Sequence, residues 1–418
     1  MSKKISLTAV AVTAALFSLN TQAAGFQVNE HSASGLGRAF AGETAIADNA
    51  SVLARNPAAM ARFERAEVSG SLSFIDPSID IASKGSHNAP VQTYEDVAPF
   101  AIVPAGFFIQ PINDQFAWGV GVFANYGFAT EYPDGAFFGA LAGNTDLITV
   151  NFNPNVSWRI NDNFSVGGGV SLVYADAVLT RHFGSLNPAN PSQELLKLEG
   201  DTWEWGWNVG ALWELNDDHR FGLSYRSQVD LEFAGDFTDY SGTGVAGSTI
   251  AAPKKVGGDL TVVLPAIAEF GGFHQLNNQW ALHYGVQWTQ WSKFEELKAT
   301  SNDCVNGVCL LKEEEFDDNF RYSIGATYTL SQAWILRAGF AFDEQAGKST
   351  LSIPDTDRYW YSAGLTYNYS DDMTFDFGLT YLYGQSSDFN EKYVDGREYA
   401  FSGENDAILS AAQMNYRF

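Results

Sequence analysis

From about residue 67 onward, apolar and polar positions take turns. Trp334, Leu336, Ala338, Phe340 and Phe342 fall on one side of an extended segment, with Ile335, Arg337, Gly339, Ala341 and Asp343 on the other. Met373, Phe375, Phe377, Leu379 and Tyr381 oppose Thr374, Asp376, Gly378 and Thr380 in the same way. So do Trp280, Leu282, Tyr284, Val286 and Trp288 against His283, Gly285, Gln287 and Thr289. Ile148, Val150, Phe152, Val156 and Trp158 oppose Thr149, Asn151, Asn153, Ser157 and Arg159. A period of two marks strands whose faces meet different surroundings.

Short polar turns punctuate these strands: Ile112-Asn113-Asp114-Gln115, Asn161-Asp162-Asn163, Asn216-Asp217-Asp218, Asn277-Asn278, Ser331-Gln332 and Ser370-Asp371-Asp372. They lie about 40 to 60 residues apart, too far for single hairpins, so a longer loop must sit between each pair. Six turns join twelve strands. One more strand precedes them near Glu67–Ile75 and one closes the chain at Ala407–Phe418. The expectation is an all-β fold of fourteen antiparallel strands.

In a soluble sandwich the apolar face would point inward. Here that face carries aromatic residues at its ends, and the opposite face is rich in Gly and Thr. A barrel with a lipid-facing aromatic girdle and a polar lumen fits this better, since only closed barrels and helices satisfy their backbone inside lipid. Met414, Tyr416 and Phe418 continue the apolar face, and a terminal aromatic there resembles the assembly signal of outer-membrane barrels.

The start of the chain agrees. Lys3 and Lys4 precede an apolar run from Ile5 to Leu19, then Thr21-Gln22-Ala23. This reads as a secretory signal peptide, residues 1–23, too short for a membrane helix. Beyond it no stretch is apolar enough for a spanning helix. The net charge of −25 and the absence of a basic face exclude a nucleic-acid partner. After export, Cys304 and Cys309, flanking Val305-Asn306-Gly307-Val308, read as a disulfide at a loop tip. No cofactor, metal site or catalytic group is indicated. The histidines carry no nucleophile motif, although His182 lies near Ser185.

Residues 24–64 do not alternate. They are rich in Ala and Gly and contain Gly35-Leu36-Gly37-Arg38-Ala39 and Arg55-Asn56-Pro57-Ala58. A fourteen-stranded barrel, here residues 65–418, has a lumen wider than its own side chains fill, so this segment is expected to form a hatch inside it. Gly35 and Gly37 lack the third glycine and the leading strand of a nucleotide loop.

Together these segments carry a resemblance. Gly25-Phe26-Gln27-Val28-Asn29-Glu30, Ser34 to Ala39, Ala45-Ile46-Ala47-Asp48 and Arg55-Asn56-Pro57-Ala58 are similar to the start of the outer-membrane long-chain fatty acid transport proteins. Pro111 to Phe116, Asn125-Tyr126-Gly127, Gln290-Trp291-Ser292 and Ile353-Pro354-Asp355-Thr356-Asp357-Arg358 extend it through the mature chain. The resemblance implies fourteen strands plus a hatch, and a monomer in outer-membrane lipid. It implies uptake of long-chain fatty acids or other hydrophobic small molecules, caught outside, held in a luminal pocket and released sideways beside the third strand. The broader family also imports aromatic and other neutral hydrocarbons, the alternative reading here.

An amphipathic ligand needs an apolar tunnel and a cationic anchor. The second strand is apolar on both faces (Ile102, Val103, Phe107, Phe108, Ile109), so one face must look inward. Phe107, Ile109, Phe123 and Phe26 are the apolar ligand candidates. Face parity turns Arg181, Arg321, Arg337 and Arg358 inward. By resemblance Arg181 is the head-group residue, and Arg358 a second candidate. The family's pocket lysine in the tenth strand corresponds to Asp317. The loop from Gly184 to Gly200 is shorter than the family's third loop. Asn56, Pro57 and Ala58 are assigned to the gate. Asn125, Tyr126 and Gly127 are assigned to the lateral opening, because alternation fails past Phe123 and Gly marks a bulge.

Overall fold

The computed structural model describes residues 25–418, so the expected signal peptide lies outside the described residues. Fourteen antiparallel strands form one closed sheet. In chain order they are β1 Glu67–Ser83, β2 Ala101–Pro111, β3 Phe116–Phe123 with Gly127–Thr130, β4 Asn144–Asn161, β5 Phe164–His182, β6 Glu194–Asn216 and β7 His219–Arg226 with Val229–Asp239. There follow β8 Lys254–Leu264 with Ile267–Gln275, β9 Trp280–Thr289 with Glu296–Thr300, β10 Val308–Glu313 with Asn319–Thr329, β11 Trp334–Asp343, β12 Arg358–Asn368, β13 Met373–Gly384 with Ser387–Lys392 and β14 Glu398–Arg417. β1 closes the barrel on β14, from Glu67↔Arg417 to Ser83↔Phe401.

All six short turns fall where the sequence puts them. The side chains sort as the alternation requires: Trp334, Leu336 and Phe340 are exposed on the outside, while Arg337, Ala341 and Asp343 are buried inside. Among the described residues no helix is long and apolar enough to cross a membrane. Two expected bounds were short. β1 runs on to Ser83 and β14 begins at Glu398. There the outward positions turn polar, as at Asp76 and Glu404, so the apolar signal stops before the strand does.

The segment from Gly25 to Phe63 winds through the lumen. It holds two single-turn helices, α1 Ala33–Leu36 and α2 Glu43–Ile46, and two 3-10 turns, Ala50–Ala54 and Pro57–Arg62. Its starts are capped as the sequence suggests. Ser32 accepts from the Gly35 N–H, Asn49 from Ser51, and Asn56 from Ala58 with Pro57 in the first position.

The glycines of the inner wall are the seat for this segment. A Cβ on Gly339 would stand 2.2 Å from the Arg38 backbone, one on Gly378 2.5 Å from the Ala33 carbonyl, and one on Gly364 2.7 Å from the Gly37 Cα. Backbone therefore lies on backbone across β11, β12 and β13. Arginines of the wall hold the ends of the luminal turns: Arg321 donates to the Ala39 carbonyl (2.8 Å), Arg220 to Ile46 (2.7 Å) and Arg226 to Ala54 (3.0 Å). These are orphan carbonyls at turn C-termini, where cations are favoured. Gly339→Val should dislodge the segment and spare the barrel. Strand circular dichroism should persist, while trypsin should cut at Arg38 and Arg55, which the native protein buries.

Candidate ligand cavity and wall opening

The outer half of the lumen contains an apolar cavity bounded by β3 to β10. Phe128, Leu147, Leu179, Leu198, Phe233, Phe237, Leu260, Val262 and Leu310 face it, and Phe26 forms its floor. The Phe26 ring meets Trp291 at 4.6 Å, Phe294 at 5.2 Å and Tyr126 at 5.9 Å, all edge to face. Gly25 has φ +60°, and a Cβ on it would fall 2.6 Å from the Trp291 ring. Only glycine meets both demands, which accounts for the Gly25-Phe26 pair.

The candidate residues separate into groups. Arg181 is buried beside the cavity and donates only to neutral oxygens: Thr180 O (2.9 Å), Asn144 O (3.1 Å), Thr145 Oγ1 (3.2 Å) and Ser352 Oγ (2.9 Å). Thr145 itself lines the cavity. Arg358 does not face the cavity. It pairs with Asp343 (3.3 Å) and Asp355 (3.7 Å), a buried network that ties the loop after β11 to the wall. Burial pushes the Asp355 carboxyl up to about 6 against the pull of Arg358. That carboxyl also accepts from the Ala346 N–H (2.7 Å) and meets the Gly25 N–H, linking the loop to the luminal segment.

Phe107, Ile109 and Phe123 point inward, as expected for the doubly apolar second strand and its neighbour, but they do not line the cavity. They pack on Val52, Leu53 and Met60 of the luminal segment, which fills the lower lumen. Asp317 is exposed, while its neighbour Phe316 turns inward onto Trp291 and Phe294. Cys304 and Cys309 form a disulfide, and Cys309 reaches the cavity wall. His182 and Ser185 bond elsewhere, His182 near Asp134 (3.5 Å) and Ser185 to Tyr393 (3.0 Å). No cluster fit for a metal occurs among the described residues.

β3 is broken where its alternation fails. Below the break it pairs with β2, from Gly106↔Val122 to Pro111↔Ala117, and with β4 up to Phe123↔Asn151. Above it, Gly127–Thr130 pairs with β4 alone. Ala124, Asn125 and Tyr126 stand opposite only Val150 and Thr149, a one-residue bulge. Ala101–Ala105 of β2 pairs with β1 and not with β3, so the ladder between β2 and β3 ends at the bulge.

The freed backbone groups are satisfied from within. Val28 N donates to Asn125 O (2.7 Å), Gly127 N donates to Phe26 O (2.9 Å), and His31 Nε2 lies 2.7 Å from Ala124 O. Burial, helped by Arg55, pushes the His31 imidazole well below its ordinary range. It is therefore neutral and its Nε2–H donates. The Tyr126 hydroxyl donates to Pro265 O (2.6 Å). Residues 26–31 thus stop the break from inside.

The family described as "Outer membrane protein transport protein (OMPP1/FadL/TodX)" matches residues 14–418. The chain belongs to this family. A long-chain fatty acid transport protein of Escherichia coli O6:H1 is 39% identical over 451 residues, covering 100% of both chains. The crystal structure of a Pseudomonas aeruginosa FadL homologue superposes with a TM-score of 0.83 at 20% identity, covering 94% of this chain and 100% of that one. The Pseudomonas putida toluene transporter TodX gives 0.68 at 18% identity, covering 88% and 94%. These two structures speak for the fold. As a member of this family the barrel sits in the outer membrane of a Gram-negative bacterium, with its aromatic outer face in lipid.

The sequence reading missed Trp291, Phe294 and Phe316 as the frame for Phe26, and Asp355 as its tie. The signal was present in Gln290-Trp291-Ser292 and Ile353 to Arg358, which carried resemblance without an assigned contact. Val28→Pro removes the N–H that reaches Asn125. Hydrogen exchange at Gly127 should accelerate as the Phe26 strand detaches, while amides of β4 and β5 stay protected.

Proposed function

We propose that this protein takes up long-chain fatty acids across the outer membrane and passes them laterally into lipid. The observation that carries this reading is Arg181, a buried cation bonded only to neutral oxygens at the edge of an apolar cavity. An anionic head group would supply a directly bonded counter-charge, where Glu391 and Glu314 act only at longer range, and the cavity would take the tail.

Each methylene kept from water contributes about 0.8 kcal/mol, which favours an apolar path over a wet pore. Ligand is caught in a groove between the outer loops, where Val91, Phe137 and Pro188 meet. It moves into the cavity and displaces Phe26. It then leaves at Asn125-Tyr126-Gly127, where the ladder is already open. Residues 25–63 act as the hatch, with Asn56-Pro57-Ala58 fastening its lower end: Asn56 Nδ2 donates to Thr44 O and, on the wall, to Ala211 O (3.0 Å). The protein works as a monomer without a cofactor.

The relatives that are named fatty acid transporters match the whole chain, which supports this choice over neutral hydrocarbons. The neutral reading draws on Asp259 at the cavity wall, which disfavours an anion; Glu199 and Asp236 there are paired with Lys255. The anchor decides between them. Arg181→Ala should weaken oleate binding by about 1.5–3 kcal/mol, the scale of a hydrogen bond to a charged group. Binding of a neutral alkane, measured in parallel on purified protein, should be unchanged. Equal losses for both would make Arg181 structural.

A further inference from the structure

The β3 bulge is not the only interruption in the wall. β6 and β7 pair at their outer ends, from Leu196↔Asp239 to Asp201↔Ala234, and again from Asn208↔Arg226 downward. Between these registers Thr202–Trp207 pairs with β5 only, and Val229–Phe233 with β8 only. Ser227 alone fastens the lower end: its N–H donates to Trp207 O, and its Oγ accepts from Trp207 N, both at 2.9 Å.

The sequence keeps this seam from zipping. β7 carries one residue more than β6 between the two registers, so no single alignment pairs both ends. Gly206 offers no side chain, and Val229 leans into the space, its Cγ2 2.8 Å from where a Cβ would be. β8 is itself interrupted at Pro265–Ala266, directly beyond the β7 kink, and Pro265 has no N–H to give a ladder.

The seam lies at membrane depth. Trp203, Trp205 and Trp207 are exposed on its outer face, and Trp213 belongs to the opposite girdle near the short turn. Six residues of strand span roughly 20 Å, against an apolar band about 25 Å tall, so the seam starts within the band and runs to its outer rim. Backbone groups left open to hydrocarbon are costly. Here a small chamber with room for a water stands behind them, lined by Asn125, Thr149, Asn151, Ser171 and Arg226 among others, so that water can bond their inner side. Gly206, Trp207 and Ser227 of the seam line this chamber, and so do Asn125 and Tyr126 of the β3 bulge.

Arg226 lines the same chamber. It donates to Ser171 Oγ (3.1 Å) and Ala54 O (3.0 Å) and has no carboxylate within ion-pair distance among the described residues. On the outer side Asp230 and Glu232 flank the seam and are exposed. A cation inside and two acids outside orient an amphiphile: an anionic head is held at Arg226 and repelled at the outer edge, and an alkyl tail passes between.

We propose that the β6–β7 seam is a second side port, separate from the β3 bulge, through which the alkyl tail of an anionic amphiphile reaches the outer leaflet while Arg226 holds its head in the lumen. The choice of amphiphile rests on the transport reading above; the port itself rests on the wall. Continuing the outer register places Trp205 opposite Asp230, so the double variant W205C/D230C can be closed by oxidation. Oleate uptake by cells should fall several-fold once mass spectrometry shows the cross-link, and recover on reduction, with the unmodified protein unaffected by the same treatment. Uptake at the wild-type rate through the cross-linked seam would overturn the port.

A second measurement needs no closed seam. Oleate with a diazirine at its methyl end, photolysed on the unmodified protein, should label Gly206 and Ser227. Arg226→Ala should lower that labelling several-fold while labelling of the lipid-facing Trp213 is unchanged. Labelling at Trp213 with none at the seam would also overturn it. If the unmodified protein takes up no oleate at all, the transport reading falls, and the photolabelling still decides the port.

Discussion

A wall standing in lipid must bond every backbone group it owns, because hydrocarbon offers none. Most of this barrel obeys by simple pairing. β1 and β14 are bonded along seventeen registered pairs, which shuts the ring. The informative places are where pairing stops. At the β3 bulge the missing partners come from inside, from the backbone of Phe26 and Val28 and the ring of His31. The segment in the lumen therefore completes the wall as well as filling the space. Anything that withdraws Phe26 both opens the cavity floor and leaves the bulge unbonded. The two events are coupled by the same few hydrogen bonds.

The rest of the luminal segment is held differently. Its backbone lies on wall glycines, and its turn ends are gripped by Arg220, Arg226 and Arg321. Charge reinforces this. Arg38 pairs with Glu43 (2.7 Å) and Asp48 (2.8 Å), Arg337 reaches Asp48 at 3.3 Å, and Arg55 pairs with Glu269 at 3.3 Å. Burial raises the Asp48 carboxyl, but Arg38 and Arg337 outweigh it and keep the group ionised. Breaking such buried pairs one partner at a time is strongly destabilising. The first residues, Gly25 to Val28, have no comparable ion pair: they rest on aromatic contacts, two backbone bonds, the Asp355 carboxyl at the Gly25 N–H, and the bonds Gln27 Oε1 accepts from Gln287 and Thr289.

Much of the barrel could be read in advance because lipid imposes a strict alternation and short turns carry Asn and Asp. The β3 break was legible for the same reason: Ala124 to Gly127 violates a pattern that Trp118, Val120 and Val122 keep. Other features left weaker marks. The β8 interruption at Pro265 was not read in advance, and the β6–β7 seam also needs Gly206 and an extra residue in β7, which emerges only once registers are known. The partners of Arg358 and Arg181 look alike by parity, both inward and cationic. Only the fold places two carboxylates within ion-pair distance of Arg358 and none within that distance of Arg181 among the described residues. Phe107, Ile109 and Phe123 illustrate the same limit, since an inward apolar face does not reveal whether ligand or the chain's own segment covers it.

The central claim is that ligand leaves through the wall and not down the axis past the luminal segment. Stapling the gripped part of that segment to the barrel separates the two routes. The Ala50 N–H of that segment donates to Ser69 Oγ on β1 at 3.1 Å, so A50C/S69C can be cross-linked while Gly25 to Val28 stay free. Oleate uptake by cells carrying the oxidised protein should continue near the wild-type rate. Loss of uptake on oxidation, restored by reductant, would show that the segment must move aside and that the route is axial.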